Sequence, residues 1–229
     1  MSLDFDGVDD KVDHGDIAAI DGAVNFTAMC WIFPDVNPTN ARGAIFVKAS
    51  DSPTILAGSS TNANNVSSRP DASGAGAIAY TDADTFPLST WNHVAMAWDG
   101  NGVGDAAKLK FYKNGTLITT NMNPGGLPAV FPSSAESLFV GGKTAFTFWD
   151  GKIAVAKMWS VTLTAAEIAQ EVNSYRPVRT ANLISWAPYD DGTSAKDYSG
   201  SGNHGTVTGA LQFQGPPVEY GGKVGSFVT

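Results

Sequence analysis

The chain has little cysteine, little histidine and few positive charges. Its single cysteine, Cys30, cannot close an internal disulfide. Met29 and Trp31 beside it mark a buried strand position, where a thiol acts as a small hydrophobe. The three histidines, His14, His93 and His204, lie far apart in sequence and form no His-x-x-x-His pair. Zinc prefers thiolate and imidazole ligands, so a zinc site is not expected. No Gly-x-Ser-x-Gly nucleophile turn occurs. Fourteen Lys and Arg against 22 Asp and Glu give a net charge of −8, which disfavours nonspecific binding to nucleic acid phosphates. No apolar run approaches the ~20 residues of a helical membrane span, so membrane insertion is not expected. No basic-then-apolar leader precedes the first strand pattern. That predicts either assembly inside a cell or export directed by residues outside this stretch.

What the chain does have is turns and short apolar runs. Its 229 residues, 43% of them hydrophobic, suit one all-β domain of sandwich size. The 25 Gly and 12 Pro are spread throughout, as many turns require. One stretch organises the rest. Asp150-Gly151 reads as a tight turn. Ile153 to Trp159 reads as a strand buried on both faces. Thr164-Ala-Ala-Glu167 then reads as a capping box that starts a short helix running to Asn173. It is the one strong helix signal.

Other strands fall around it. Leu3 and Phe5 alternate with Asp4 and Asp6. Asn25 to Pro34, Ala44 to Lys48, Thr54 to Leu56 and Ser137 to Gly142 are further strands. Val94, Met96 and Trp98 should fill the core from the strand after Trp91, with His93 a structural histidine. Asn114-Gly115 predicts a type I′ hairpin turn. Gly58 to Gly76, rich in Ser, Asn and Ala, reads as a long exposed loop or hairpin excursion.

These segments carry a resemblance. Phe-Asp-Gly at 5–7, Phe-Thr…Trp-Ile-x-Pro at 26–34, Trp91…His-Val-Ala…Trp-Asp-Gly100, Tyr-x-Asn-Gly at 112–115 and Asp-Gly-Lys-Ile…Leu-Thr-Ala-Ala-Glu-Ile at 150–168 resemble the laminin G-like and pentraxin-like domains. Those belong to the concanavalin A-like lectin and glucanase superfamily. The resemblance spans nearly the whole chain. It implies a concanavalin A-like jelly-roll β-sandwich of two antiparallel sheets with one short helix. Ala195 to Gly205 contains Asp-x-Ser-Gly-x-Gly-Asn-His-Gly, which in many relatives stands near the N-terminus. Here it follows the helix, so the order reads as circularly permuted. A single domain over 1–229 is therefore expected, with 183–229 completing the sandwich and Leu183 to Tyr189 joining the N-terminal strand. Pentraxin-like relatives usually carry a disulfide, and this chain departs from them there.

The function implied is recognition of a glycan or polysaccharide without catalysis. Laminarinase-like relatives use a Glu-x-Asp-x-x-Glu strand, and none of Glu136, Glu167, Glu171 or Glu219 stands in that pattern. Sugar sites set a flat aromatic beneath a pyranose ring. Trp149, at a turn beside Asp150, has the best claim to exposure, with Tyr80 next to the polar loop; either could instead be rim packing. Calcium takes several oxygen ligands. Asp9 with its turn neighbours Asp6 and Asp10, together with Asp190, Asp197 and Asn203, could supply them. Asp197 and Asn203 could equally bond their own turn. Stand-alone domains of this layout look like those on bacteriophage virions. The setting expected is a virion surface or the extracellular space, with other virion proteins, or further copies of the chain, as partners. The rivals are a secreted bacterial adhesion module, a structural virion clamp and a divergent glycosidase.

Overall fold

Alternating apolar runs broken by glycine and proline should give short paired strands, and that is what forms. The computed structural model describes residues 1–36, 43–48, 54–58, 64–70, 78–123, 126–143, 148–192, 194–220 and 223–224. The N-terminal part contributes β1 (Ser2–Asp6), β2 (Lys11–Asp13), β3 (Asn25–Pro34) and β4 (Ala44–Val47). It continues with β5 (Thr54–Gly58), β6 (Val66–Arg69), β7 (Ala79–Tyr80) and β8 (Asn92–Asp99). A single helical turn, α1 (Asp105–Lys108), leads into β9 (Leu109–Lys113), β10 (Thr116–Leu117), β11 (Asn121–Met122), β12 (Phe139–Val140) and β13 (Asp150–Trp159). Helix α2 (Ala165–Val172) follows. The C-terminal part holds β14 (Leu183–Ala187), β15 (Ser194–Ala195), β16 (Gly205–Thr208), β17 (Leu211–Phe213), β18 (Glu219–Tyr220) and β19 (Lys223–Val224).

Two antiparallel sheets pack face to face. The first runs β10-β9-β8-β3-β13-β1-β17, with β14 also paired to β13. The second runs β11-β7-β6-β5-β4-β12-β2-β16-β15. Leu3, Phe5, Ile32, Val94, Met96, Trp98 and Ile153 project from the first sheet into the shared core. The opposite, outer face of that sheet is also partly covered. Met29, Ala97, Tyr112 and Trp159 meet Leu163 and Ile168 of the α2 segment there. This double burial leaves β13 buried along nearly its whole length.

The capping box forms as read: Thr164 Oγ1 accepts Glu167 N at 3.3 Å, and the Glu167 carboxylate accepts Thr164 N at 2.8 Å. The Asn114-Gly115 turn has φ of +49° and +80°, the pair a type I′ turn needs. Besides α2, the described residues hold two single turns, a 3-10 turn at Ala18–Ile20 and α1. Two expectations are corrected. The segment 183–187 pairs with β13 rather than with the N-terminal strand, and β17 takes the place beside β1. The polar stretch after Gly58 contains buried strand β6, because Ser67 and Ser68 satisfy their hydroxyls on the backbone carbonyls of Ala57 and Thr54. Val224 to Val228 also reads as strand-like in the sequence, and most of it lies outside the described residues.

Strand β13 carries a bulge that shapes everything outside the core. Its register with β3 shifts between Ala154 and Lys157, and Val155 there has φ +51°. Positive φ is strained for a β-branched residue. One extra residue flips the alternation. Ile153 faces the core, Ala154 and Val155 both face outward, and Ala156 and Met158 return to the core. Lys157 is thereby turned out toward α2 instead of into the core.

Two histidines are held neutral inside. His93, packed on Trp31 at 5.6 Å between ring centroids, has its pKa lowered to about 3 by burial and then by the nearby Lys157 charge. His14, also shifted down by burial, bonds Tyr189 Oη at 2.9 Å and the Asn203 carbonyl at 3.0 Å. An unfolded histidine titrates near 6.5, so below that pH the unfolded chain takes protons that the folded chain refuses. Stability is then full above about pH 6.5 and falls toward pH 3. For His93 alone the loss at pH 4.5 is on the order of 2–3 kcal/mol. Asp10 and Asp150, whose carboxyls are shifted up, partly offset this as they bind protons in the folded state. Melting temperatures at pH 7 and pH 4.5 check it; a His93→Gln variant should flatten the dependence, and equal slopes in both proteins would contradict it.

Candidate functional site

The turn after β1 builds an acidic corner. Gly7, at φ +74°, lets the chain reverse there, and the side chain of Asp150 packs so closely that a Cβ on Gly7 would lie 2.9 Å from it. Asp6 Oδ1 accepts Val8 N at 2.8 Å and Asp9 N at 3.4 Å, while Asp10 Oδ2 accepts Asp6 N at 2.9 Å. Ligand oxygens of Asp6, Asp9 and Asp10 lie within 4.8 Å of one another. Sheet register brings in the rest: Asp6 is opposite Asp150, and Asp4 is opposite Lys152. Asp35, just past β3, donates its backbone N–H to the Asp150 carbonyl at 3.1 Å.

This crowding leaves a mark on the carboxyls. Burial, then Asp35, Asp4 and Asp6, push the Asp150 pKa up, with Lys152 opposing. Burial likewise raises Asp10, with Asp6, Asp9 and Asp4 adding to it. Lys152 is the cation in contact with this corner. Its ammonium meets Asp35 and, at 3.3 Å, Asp4. Among the described residues, Asp6, Asp9, Asp10 and Asp150 form no ion pair.

The same row carries an aromatic strip on the outer face. Lys152 Nζ lies between two rings, 5.1 Å from the Phe33 centroid and 4.8 Å from that of Phe213. Such cation–π contacts fix both rings beside the charge. Trp91 packs against Phe33 at 5.5 Å, tilted by 59°. Phe213 is 49% exposed and Leu211, on the same edge strand, 73%. Phe33 and Trp91 are half-buried. The strip therefore leaves Phe213 half exposed and Phe33 and Trp91 partly exposed, with carboxylates along one side.

A family model, that of the concanavalin A-like lectin/glucanases superfamily, matches residues 6–169. The chain belongs to this superfamily. Its fold is similar to that of a Bacteroides ovatus protein provisionally assigned as carbohydrate-binding, at 16% identity and a TM-score of 0.64, over 95% of this chain and 61% of that one. Weaker likenesses include a heptameric pentraxin of Limulus polyphemus (14% identity, TM-score 0.49, 75% and 81% covered). Another is domain 4 of AbnA, an extracellular arabinanase of Geobacillus stearothermophilus, solved with arabinotriose (19%, 0.46, 74% and 75%). No curated protein matches the chain.

Membership in the superfamily fixes the two-sheet jelly roll, not a site. The residues singled out from sequence fall in several places. Trp149 is 3% exposed and sits in the core with its ring against Gly58, so it offers no face to a sugar. It precedes β13 at a position that points inward, and Gly58 leaves the room it fills. Tyr80 is half-buried in the second sheet, opposite Ser67 and Asn121. Asp150 and Asp9 lie in the acidic corner. Asp197 is consumed by its own turn: Oδ1 accepts Trp186 N and Ser199 N, and Oδ2 accepts Ser199 Oγ and Asn203 N. These bonds lower its pKa against the opposing effect of burial, the largest single influence. Asn203 donates to the Ile184 carbonyl at 2.6 Å, and Asp190 accepts from Tyr175 Oη. Neither Asp190 nor Asp197 is in a carboxylate triad among the described residues. Phe33, Trp91 and Phe213 went unnoticed in the sequence, since three remote segments supply them.

Proposed function

We propose that the chain is a non-catalytic, lectin-like module that binds a glycan on the outer face of its first sheet, over Phe33, Phe213 and Trp91. The observation that carries this reading is the half-exposed strip around Lys152, with Asp4 and Asp35 placed to accept hydroxyl hydrogens. Aromatic faces stack on the apolar faces of pyranose rings, and carboxylates at the edge orient them. Support for the non-catalytic reading is that none of Glu136, Glu167, Glu171 and Glu219 stands in the paired-carboxylate strand pattern of laminarinase-like relatives. A glycan array followed by calorimetry tests the reading. Phe213→Ala should weaken binding about tenfold, the scale of one stacking contact, and leave the melting temperature unchanged. Laminarin and agarose should remain intact. Binding unaffected by Phe213→Ala moves the site elsewhere, and reducing ends above a heat-killed control would show catalysis.

Calcium is proposed at the Asp6–Asp10 turn rather than at Asp197. Asp9 is exposed, its carboxylate takes part in no hydrogen bond among the described residues, and repulsion among the three carboxylates is what a divalent cation would relieve. Calcium at a hundredfold over its dissociation constant should add ~2.7 kcal/mol of stability. That is several degrees in melting temperature, reversed by chelator and abolished by Asp9→Asn. Identical melts with calcium and with chelator would remove the metal.

The setting we propose is a virion surface or the extracellular space. Support for assembly inside a cell is the lone cysteine, buried and free, which leaves folding independent of an oxidising compartment.

A further inference from the structure

The charge around the aromatic strip restricts what can lie on it. The strip is flanked by Asp4 and Asp35, and the acidic corner of Asp6, Asp9, Asp10 and Asp150 adjoins it through the β1–β13 register. Lys152, the one cation in contact among the described residues, is 7% exposed and engaged by two carboxylates and two rings. It has no face left with which to pair an acid group on a ligand. An anionic sugar placed on Phe33 and Phe213 would therefore meet carboxylates and no free counter-charge. An ammonium placed there would meet Asp150, whose carboxylate forms no ion pair among the described residues and stands opposite Asp6. Like-charge juxtaposition is a strong source of discrimination at a binding face.

We propose that this face selects a glycan bearing free amino groups, of the glucosamine-oligomer class, and rejects uronic and sialic acid sugars. The inference rests on the glycan reading of the same strip. The rings bind the pyranose, and Asp150, which forms no ion pair among the described residues, receives the ammonium. The N-acetylated form of the same oligomer would keep the stacking and lose the charge.

The test is calorimetry in ~0.15 M salt with chelator present, so that no divalent ion bridges an acidic sugar to the corner. Three soluble oligomers of equal length are compared: glucosamine, N-acetylglucosamine and galacturonic acid. The expected order is glucosamine tighter than N-acetylglucosamine by about tenfold or more, with galacturonic acid unbound. Asp150→Asn should bring the first two to similar affinity, and Phe213→Ala should weaken both. Asp105→Asn, at the opposite end of the sheet beyond Asp99, removes the same charge and should change neither. Equal binding of the first two, or an equal loss in Asp105→Asn, would overturn the amino-sugar selection and leave the glycan reading standing. Binding of galacturonic acid would do the same. Binding of none of the three, with none on a wider array, would overturn both.

Discussion

Truncation after Val178 is expected to give insoluble or molten protein, not a smaller folded domain. The lost segment is built into both sheets. Strand β14 pairs with β13, β17 with β1, and β16 with β2. Without it Leu3, Phe5 and Val12, each at most 1% exposed, would lie beside open sheet edges. Tyr189, 1% exposed, leaves the core together with Ala187, Ala195 and Ala210. His14 would lose both its ring partners, Tyr189 Oη and the Asn203 carbonyl. Removing one large buried aromatic costs ~3–5 kcal/mol. The whole domain has only ~5–15 kcal/mol of stability. Trp186 matters less here than its size suggests, since it is half-buried on the outer face between Tyr175 and Tyr198. Circular dichroism and a thermal melt of residues 1–178 check this. A cooperative transition would show that the tail hangs on an already complete sandwich.

The features legible in the sequence are those that depend on near neighbours. The Thr164/Glu167 capping box, the Asn114-Gly115 hairpin and the alternation of Val94, Met96 and Trp98 each need only a few consecutive residues. The buried strand β6 was hidden because Ser67 and Ser68 look solvent-loving until Ala57 and Thr54 offer them carbonyls. Trp149 looked exposed because Asp150-Gly151 beside it reads as a turn; in the structure both residues open strand β13, and only the remote Gly58 gives Trp149 a place inside. The aromatic strip joins residues 33, 91, 152 and 213, which no local pattern connects. The Val155 bulge was equally hidden, since an apolar run buried on both faces keeps no visible parity. Its consequence is the placement of Lys157, whose charge no local pattern would put inside.

Lys157→Met is expected to cost ~3–5 kcal/mol, the scale for leaving a buried charge without its partner. Lys157 and Glu171 are each 1% exposed, and Nζ lies 2.7 Å from Glu171 Oε2 and 2.7 Å from the Ser174 carbonyl. Glu171 Oε1 in turn accepts the backbone N–H groups of Val178 and Arg179 at 2.8 and 2.9 Å. One ion pair thus ties the bulged strand, α2 and the crossover to β14 together. Burial pulls the Lys157 pKa down, and the Glu171 carboxylate pulls it back. For a chain of this size the loss corresponds to roughly 6–20 °C in melting temperature. The double variant Lys157→Met/Glu171→Gln should recover more than half of it. The amide removes the stranded charge and keeps an oxygen for Val178 and Arg179. A double-mutant cycle separates the coupling from the loss of packing. An independent readout is His93, held down in part by the Lys157 charge. In Lys157→Met its pKa should rise toward the ordinary value, read by NMR titration. If the single variant melts like the parent and His93 does not move, the pair is not closed in solution, and α2 is held by its apolar face alone.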